Sequence, residues 1–124
     1  MKTILTGICN GLIAASIRHI LNNSNEFHVL PVDDEGISAA DVIILEVAHT
    51  PGYTVDERLN EVQSIRLMNP ACRILLMCDD NSTPELAWKV VLAKKAGLID
   101  DFIYSSVSES YLAAMLHGFR EPYR

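Results

Sequence analysis

The sequence predicts an α/β fold built around a parallel sheet, and three observations carry that prediction. Short apolar runs alternate with stretches of helical periodicity along the whole chain. The run Val42 to Val47 (VIILEV) is almost continuously apolar and β-branched, as expected of a strand buried on both faces. The chain has 124 residues, of which 49% are hydrophobic and 21% charged, which suits one globular domain over residues 1–124 and no disordered tail.

The elements follow in order. Thr3 to Ile8 reads as the first strand. Ile13, Ile17, Ile20 and Leu21 then recur at helical spacing, and Asn22-Asn23-Ser24-Asn25 ends that helix because short polar side chains compete with the helical backbone. Phe27 to Val32 is the second strand. Asp33 to Ser38 is polar and contains Gly36, so any second helix is short or irregular. Val42 to Val47 is the third strand, broken by Thr50-Pro51-Gly52. Thr54 caps the third helix with Glu57 three residues on, and Val55, Leu59, Val62 and Ile65 form its apolar stripe until Asn69-Pro70 stops it. Arg73 to Cys78 is the fourth strand. Thr83 caps the fourth helix with Pro84 at its first position, and Gly97 ends it. Phe102 to Ser105 is the fifth strand. Ser108 caps a last helix on which Leu112, Met115, Leu116 and Phe119 share a face. Strands alternating with helices imply right-handed crossovers, and five strands suit a flavodoxin-like three-layer sandwich rather than an eight-stranded barrel.

Charge and cysteine content narrow the function classes. The formal charge is −6, so clustered Lys and Arg for direct nucleic-acid binding are not expected. Cys9, Cys72 and Cys78 form no disulfide framework, and free thiols suit the cytoplasm. Met1-Lys2 followed by Ile4 to Ala15 loosely mimics a signal peptide, but Gly7, Asn10 and Gly11 interrupt it, and cleavage would remove the first strand. No apolar run approaches the roughly 20 residues that span a bilayer.

In open α/β sheets the working residues follow the strands, at Gly7 to Gly11, Asp33-Asp34, Glu46 to Gly52, Cys78 to Asn81 and Tyr104 to Ser106. Three of these neighbourhoods carry a resemblance. Asp41 to Glu46 followed by Pro51-Gly52, Arg73 to Cys78, and Ala96-Gly97 followed by Asp100 to Ser106 together resemble the receiver domain of bacterial response regulators, over nearly the whole chain. That resemblance implies a sheet of order 2-1-3-4-5 and a signalling role without enzymatic activity.

It also implies a phosphoryl-accepting pocket, and here the sequence departs from the family. The acidic pair that holds Mg²⁺ falls at Ile8 and Cys9, with Asn10 next, and none is a carboxylate. The acceptor aspartate is Glu46. The hydroxyl residue that contacts the phosphoryl group is Cys78, followed by Asp79, and the neutralising lysine is Ser105. Phe102 keeps the switch aromatic in kind. Phosphoryl transfer rests on metal and lysine charge, so the resemblance implies a degenerate pseudo-receiver that binds no metal or cofactor and works without phosphorylation. Glu46 is then either a built-in mimic of the phosphorylated state or a solvated carboxylate.

Three further readings stand beside this one. Thr6-Gly7 to Gly11 and Ala14 resembles the glycine-rich turn of short-chain dehydrogenases, with Asp33 at the end of the second strand. This is the alternative of a nucleotide-binding Rossmann-like domain. Cys9, Cys78, His49, Glu46 and Asp79 could share a crevice as a metal or redox site, but they carry no metal spacing, and Cys9 and Cys78 would lie about 10 Å apart. Trp88, Tyr104 and Tyr111 are candidate interface anchors, by resemblance on a homodimer or output face of fourth helix, fifth strand and fifth helix; the other reading of Trp88 is core packing. Lys89, Lys94 and Lys95 near Asp100 and Asp101 are expected either as interface ion pairs or as solvated charges. The chain either stands alone or is the N-terminal part of a longer regulator, whose output by family analogy would be transcription control.

Overall fold

A computed structural model describes residues 2–7, 15, 17–19, 21, 27–31, 34–78, 83–106 and 109–118. The elements are β1 (Lys2–Gly7), α1 (helical at the described residues 15, 17–19 and 21), β2 (Phe27–Pro31), α2 (Asp34–Ile37) and β3 (Val42–Val47). They continue with α3 (Val55–Met68), β4 (Arg73–Cys78), α4 (Pro84–Lys95), β5 (Asp101–Tyr104) and α5 (Glu109–Gly118). The five strands form one parallel sheet in the order β2-β1-β3-β4-β5, as expected for the flavodoxin-like fold.

The sheet separates two cores, and the pleat of the strands explains the division. Ile43, Leu45 and Val47 of β3 face α3 and α4 together with Ile74, Leu76 and Cys78 of β4. The alternating residues Val42 and Ile44, with Leu75 and Met77, face Ile17 and Leu21 of α1 and Leu112 and Leu116 of α5. Both faces of β3 are covered, which is why VIILEV reads as a continuous apolar run.

The helix ends follow the local chemistry. The Thr54 side chain accepts from the Glu57 amide at 3.2 Å, and the Thr54 hydroxyl donates to a Glu57 carboxylate oxygen at 2.8 Å. That carboxylate also accepts from the Gly52 amide with both oxygens, at 2.9 Å each, which holds its pKa below the ordinary value. Gly52 has φ +94°, a conformation that glycine adopts without steric cost. Thr54→Ala should therefore destabilise the fold by about 1 kcal/mol in urea unfolding, and Thr54→Ser should restore it. A loss within error for the alanine variant would show that Glu57 and Gly52 hold the turn without the cap.

At the other end of α4, the Gly97 amide donates to the Lys94 carbonyl and the Leu98 amide to the Ala93 carbonyl, both at 3.0 Å. With φ +77° at Gly97, this is the Schellman arrangement. Asn69 does more than stop α3. It is buried, and its amide nitrogen donates to the carbonyls of Ile37 and Ala40 at 2.8 Å each, tying the segment after α2 to the end of α3.

Three expectations need correction. The first strand begins at Lys2, one residue before the expected Thr3. The fifth strand begins and ends one residue earlier than expected, at Asp101 and Tyr104, and the Ser105 amide makes its last ladder bond to the Cys78 carbonyl at 2.8 Å. On α3 the buried positions are Val55, Arg58, Val62 and Ile65, while Leu59 is only partly buried. A guanidinium takes the place expected of an apolar side chain.

Candidate functional site

The strand carboxyl ends lie along one edge of the sheet, and parallel register sets which side chains share it. Glu46 stands opposite Met77 and Val47 opposite Cys78, while Cys78 stands opposite Tyr104. By the pleat, Glu46 belongs to the α1 and α5 side and Cys78 to the α3 and α4 side. The two positions bracket the edge from opposite faces. Glu46 is half-buried, and Cys78 is 1% exposed. Desolvation pushes the Cys78 thiol up to about 11, so it is protonated at neutral pH and is a poor nucleophile or metal ligand. Ile8, Cys9, Asn10 and Asp79 lie outside the described residues.

The residue that binds this edge together is Arg58, 6% exposed on the inner face of α3. Its Nε donates to the Glu46 carbonyl and one terminal nitrogen donates to the Gly7 carbonyl, both at 2.8 Å. The other terminal nitrogen meets both carboxylate oxygens of Glu61, at 3.1 and 3.2 Å. The Tyr53 ring lies 4.8 Å from the guanidinium carbon, within reach of a cation–π contact. The loop carrying Tyr53 is closed by its amide on the Thr50 carbonyl and by the Ala48 amide on the Tyr53 carbonyl, at 2.9 and 2.8 Å. Arg58 was not among the residues expected to matter. The available signal was its spacing, three residues from Val55 and four from Val62, on the buried side of α3.

The receiver resemblance implies a Mg²⁺ ion at this edge, and the positions expected to hold it, Ile8, Cys9 and Asn10, carry no carboxylate and lie outside the described residues. Magnesium needs several hard oxygen ligands near ideal octahedral positions. Two backbone oxygens at the edge, those of Gly7 and Glu46, already accept from a fixed cation. No group of three or more His, Cys, Asp or Glu among the described residues could hold a metal.

The remaining expected residues divide as follows. Phe102 packs against the α3 and α4 core and meets Tyr104 edge-on, with ring centroids 6.4 Å apart. Lys94 lies 5.7 Å from the Phe102 ring and pairs with Asp101 at 2.9 Å. Lys89 instead pairs with Asp56 across the two helices at 3.4 Å. Asp100 pairs with Arg66 and Arg73 rather than with a lysine. Trp88, Tyr104 and Tyr111 are 57%, 40% and 54% exposed, so Trp88 is not core packing. Lys95 covers the Trp88 ring at 5.8 Å. The His49 ring bonds the Thr83 hydroxyl at 2.9 Å, linking the loop after β3 to the start of α4. Two adjoining hollows of about 220 and 250 Å³ run between α3 and α4, and neither is lined by Glu46, Cys78 or Ser105. Of the glycine-rich turn only Thr6 and Gly7 are described, and the Gly7 carbonyl is taken by Arg58. No helix among the described residues is long and apolar enough to cross a membrane.

No protein-family model and no curated protein sequence matches the chain. Solved structures do. A protein from Rhodopirellula baltica described as an adenylate cyclase superposes with TM-score 0.73 and 17% identity, over 95% of this chain and 86% of that one. A response regulator from Thermotoga maritima gives 0.70 and 15%, over 96% and 97%. NtrX from Brucella abortus gives 0.73 and 15%, over 96% of this chain but 27% of its own. At such identities the likeness is one of fold. Together with the sheet order and the two cores, it gives this chain the CheY-like fold of response-regulator receiver domains.

Proposed function

We propose that the chain is a receiver-type signalling domain that works through protein contacts and independently of phosphorylation. One observation carries this reading: the strand carboxyl edge holds a buried arginine on its backbone oxygens. Receiver chemistry needs a metal and a lysine at that edge to offset phosphoryl charge, and Ser105 stands at the lysine position. Cys78, buried and protonated, offers no accessible nucleophile at the edge.

The partner face favoured by this reading is α4, β5 and α5, where Trp88, Tyr104 and Tyr111 are exposed as interface anchors commonly are. A second copy or an output domain would dock there. That NtrX carries this fold over about a quarter of its chain supports an arrangement in which the domain is joined to others, and by analogy with the receiver family the output of such an arrangement would be transcription control.

The test is an amide NMR titration with Mg²⁺ and beryllofluoride, which mimics a bound phosphoryl group. Treatment with acetyl phosphate followed by mass spectrometry accompanies it. The expected result is unchanged spectra around Glu46 and Ser105 and no phosphoryl adduct. Saturable shifts at those residues, or an adduct on Glu46, would overturn the reading and restore a phosphorylation switch.

A further inference from the structure

We propose that Arg58 is the resident cation of the strand carboxyl edge. Its guanidinium takes the place that a divalent metal would need and pins the ends of β1 and β3 to α3. This rests on the proposed phosphorylation-independent function and supplies its physical cause.

The geometry is specific. A guanidinium presents its N–H groups in a rigid planar fork, and here the fork is divided among three elements. Nε reaches the Glu46 carbonyl at the end of β3, and a terminal nitrogen reaches the Gly7 carbonyl at the end of β1. Those two strands are neighbours in the sheet, with Gly7 opposite Leu45, so one side chain spans the ladder where it ends. The third arm holds Glu61, on the next turn of α3, and the Tyr53 ring covers the guanidinium carbon. A charge so deeply buried is tolerated only when its donors are used. Here they are used on backbone oxygens that face the edge.

Two consequences follow. A divalent ion entering the edge would meet the N–H fork of Arg58, whose charge Glu61 offsets only from the far arm, in surroundings that screen it weakly. It would also find two carbonyl oxygens already accepting hydrogen bonds. In addition, the ends of β1 and β3 cannot separate without breaking at least one of these two bonds. The edge is therefore held in one arrangement by the chain itself, with no ligand required.

The experiment uses Mn²⁺ as the probe, read as paramagnetic broadening of amide NMR signals, together with hydrogen exchange on the same samples. Wild-type protein should show no saturable broadening at Gly7, Glu46 or Val47. Arg58→Met removes both charge and fork. Exchange at Glu46 and Val47 should rise roughly tenfold relative to Ile43 and Ile74, the factor carried by about 1.4 kcal/mol. Mn²⁺ should then broaden Glu46. Arg58→Lys keeps the charge but cannot reach both carbonyls. It should show the faster exchange while still excluding Mn²⁺, and it serves as the test should the methionine variant fail to fold.

Site-specific broadening of the wild-type edge would overturn the proposal, as would a lysine variant that admits Mn²⁺. A methionine variant that opens the edge yet admits no ion would also overturn it, leaving Arg58 a packing residue. Unchanged exchange in both variants would remove the pinning role. These outcomes are separable from the proposed function: a silent beryllofluoride titration with an Mn²⁺-silent Arg58→Met leaves that reading standing and this one refuted.

Discussion

Asp100→Ala is expected to cost about 3 kcal/mol of stability, a large loss for one polar side chain. Asp100 lies just before β5, at the end of the sheet away from the candidate site. One carboxylate oxygen accepts from the Ile74 amide at 2.7 Å and from Arg66 at 3.1 Å, while the other accepts from Arg73 at 3.3 Å. The Asp100 amide returns a bond to the Ile74 carbonyl at 2.9 Å, closing a reciprocal link between β4 and the entry to β5. The carboxylate is only 20% exposed, and Ile74 is fully buried. Removing it leaves the buried Ile74 N–H without this acceptor and takes one ion-pair partner from each of Arg66 and Arg73, and Arg66 Nε is already unpartnered among the described residues. For a domain of this size the melting temperature should fall by roughly 10–15 °C. Asp100→Asn keeps an acceptor for the Ile74 amide but removes the charge, so it should recover about half of the loss. Urea unfolding of the two variants separates the contributions. A loss below about 1 kcal/mol for alanine would mean that the cluster behaves as an exposed surface pair.

Asp100 also marks where sequence reading stops. The strands and helices were legible because each is set locally. Val42 to Val47 and Arg73 to Cys78 are read to the residue, since an unbroken apolar run between polar or turn residues has one natural conformation when both faces are covered. Thr54 with Glu57, and Thr83 with Pro84, mark helix starts through bonds three residues long. Asp100 and Arg58 act at distances the periodicity of one element cannot encode. Asp100 reaches residues 26 to 34 positions back in the chain, and Arg58 reaches Gly7 across 51. An aspartate beside lysines reads as a solvated charge, and an arginine on a helix reads as surface, until the fold brings specific carbonyls and amides to them. The candidate site was legible in outline because the topology of a parallel sheet puts the strand ends on one edge. What occupies that edge was not, because Arg58 enters it from α3 and not from any strand end.

Cys78 gives the second large effect, this time in reactivity. The thiol should react with a disulfide reagent on the order of a hundredfold more slowly in the folded protein than in the unfolded chain. Its pKa rises from 9.0 to about 11 because burial penalises the thiolate, which is the reacting form. Near neutral pH the thiolate fraction falls about tenfold each time the pKa rises by about one, and the 1% exposure slows access further. Cys72 is buried and its pKa is raised as well, so the measurement must resolve the sites by mass spectrometry. The same rise has a sign for stability. The folded state holds the thiol proton more tightly than the unfolded state, so this contribution is full below about pH 9 and is lost as pH rises through about 11. Lysines titrate in the same window, so the informative quantity is the difference between wild type and Cys78→Ala. Wild-type stability should fall more steeply than that of the variant between those limits. Parallel curves, or rapid labelling of Cys78 in folded protein, would mean that the carboxyl edge opens to solvent around β4. An edge that opens there would expose the thiol as a nucleophile and would weaken the case that the pocket is chemically silent.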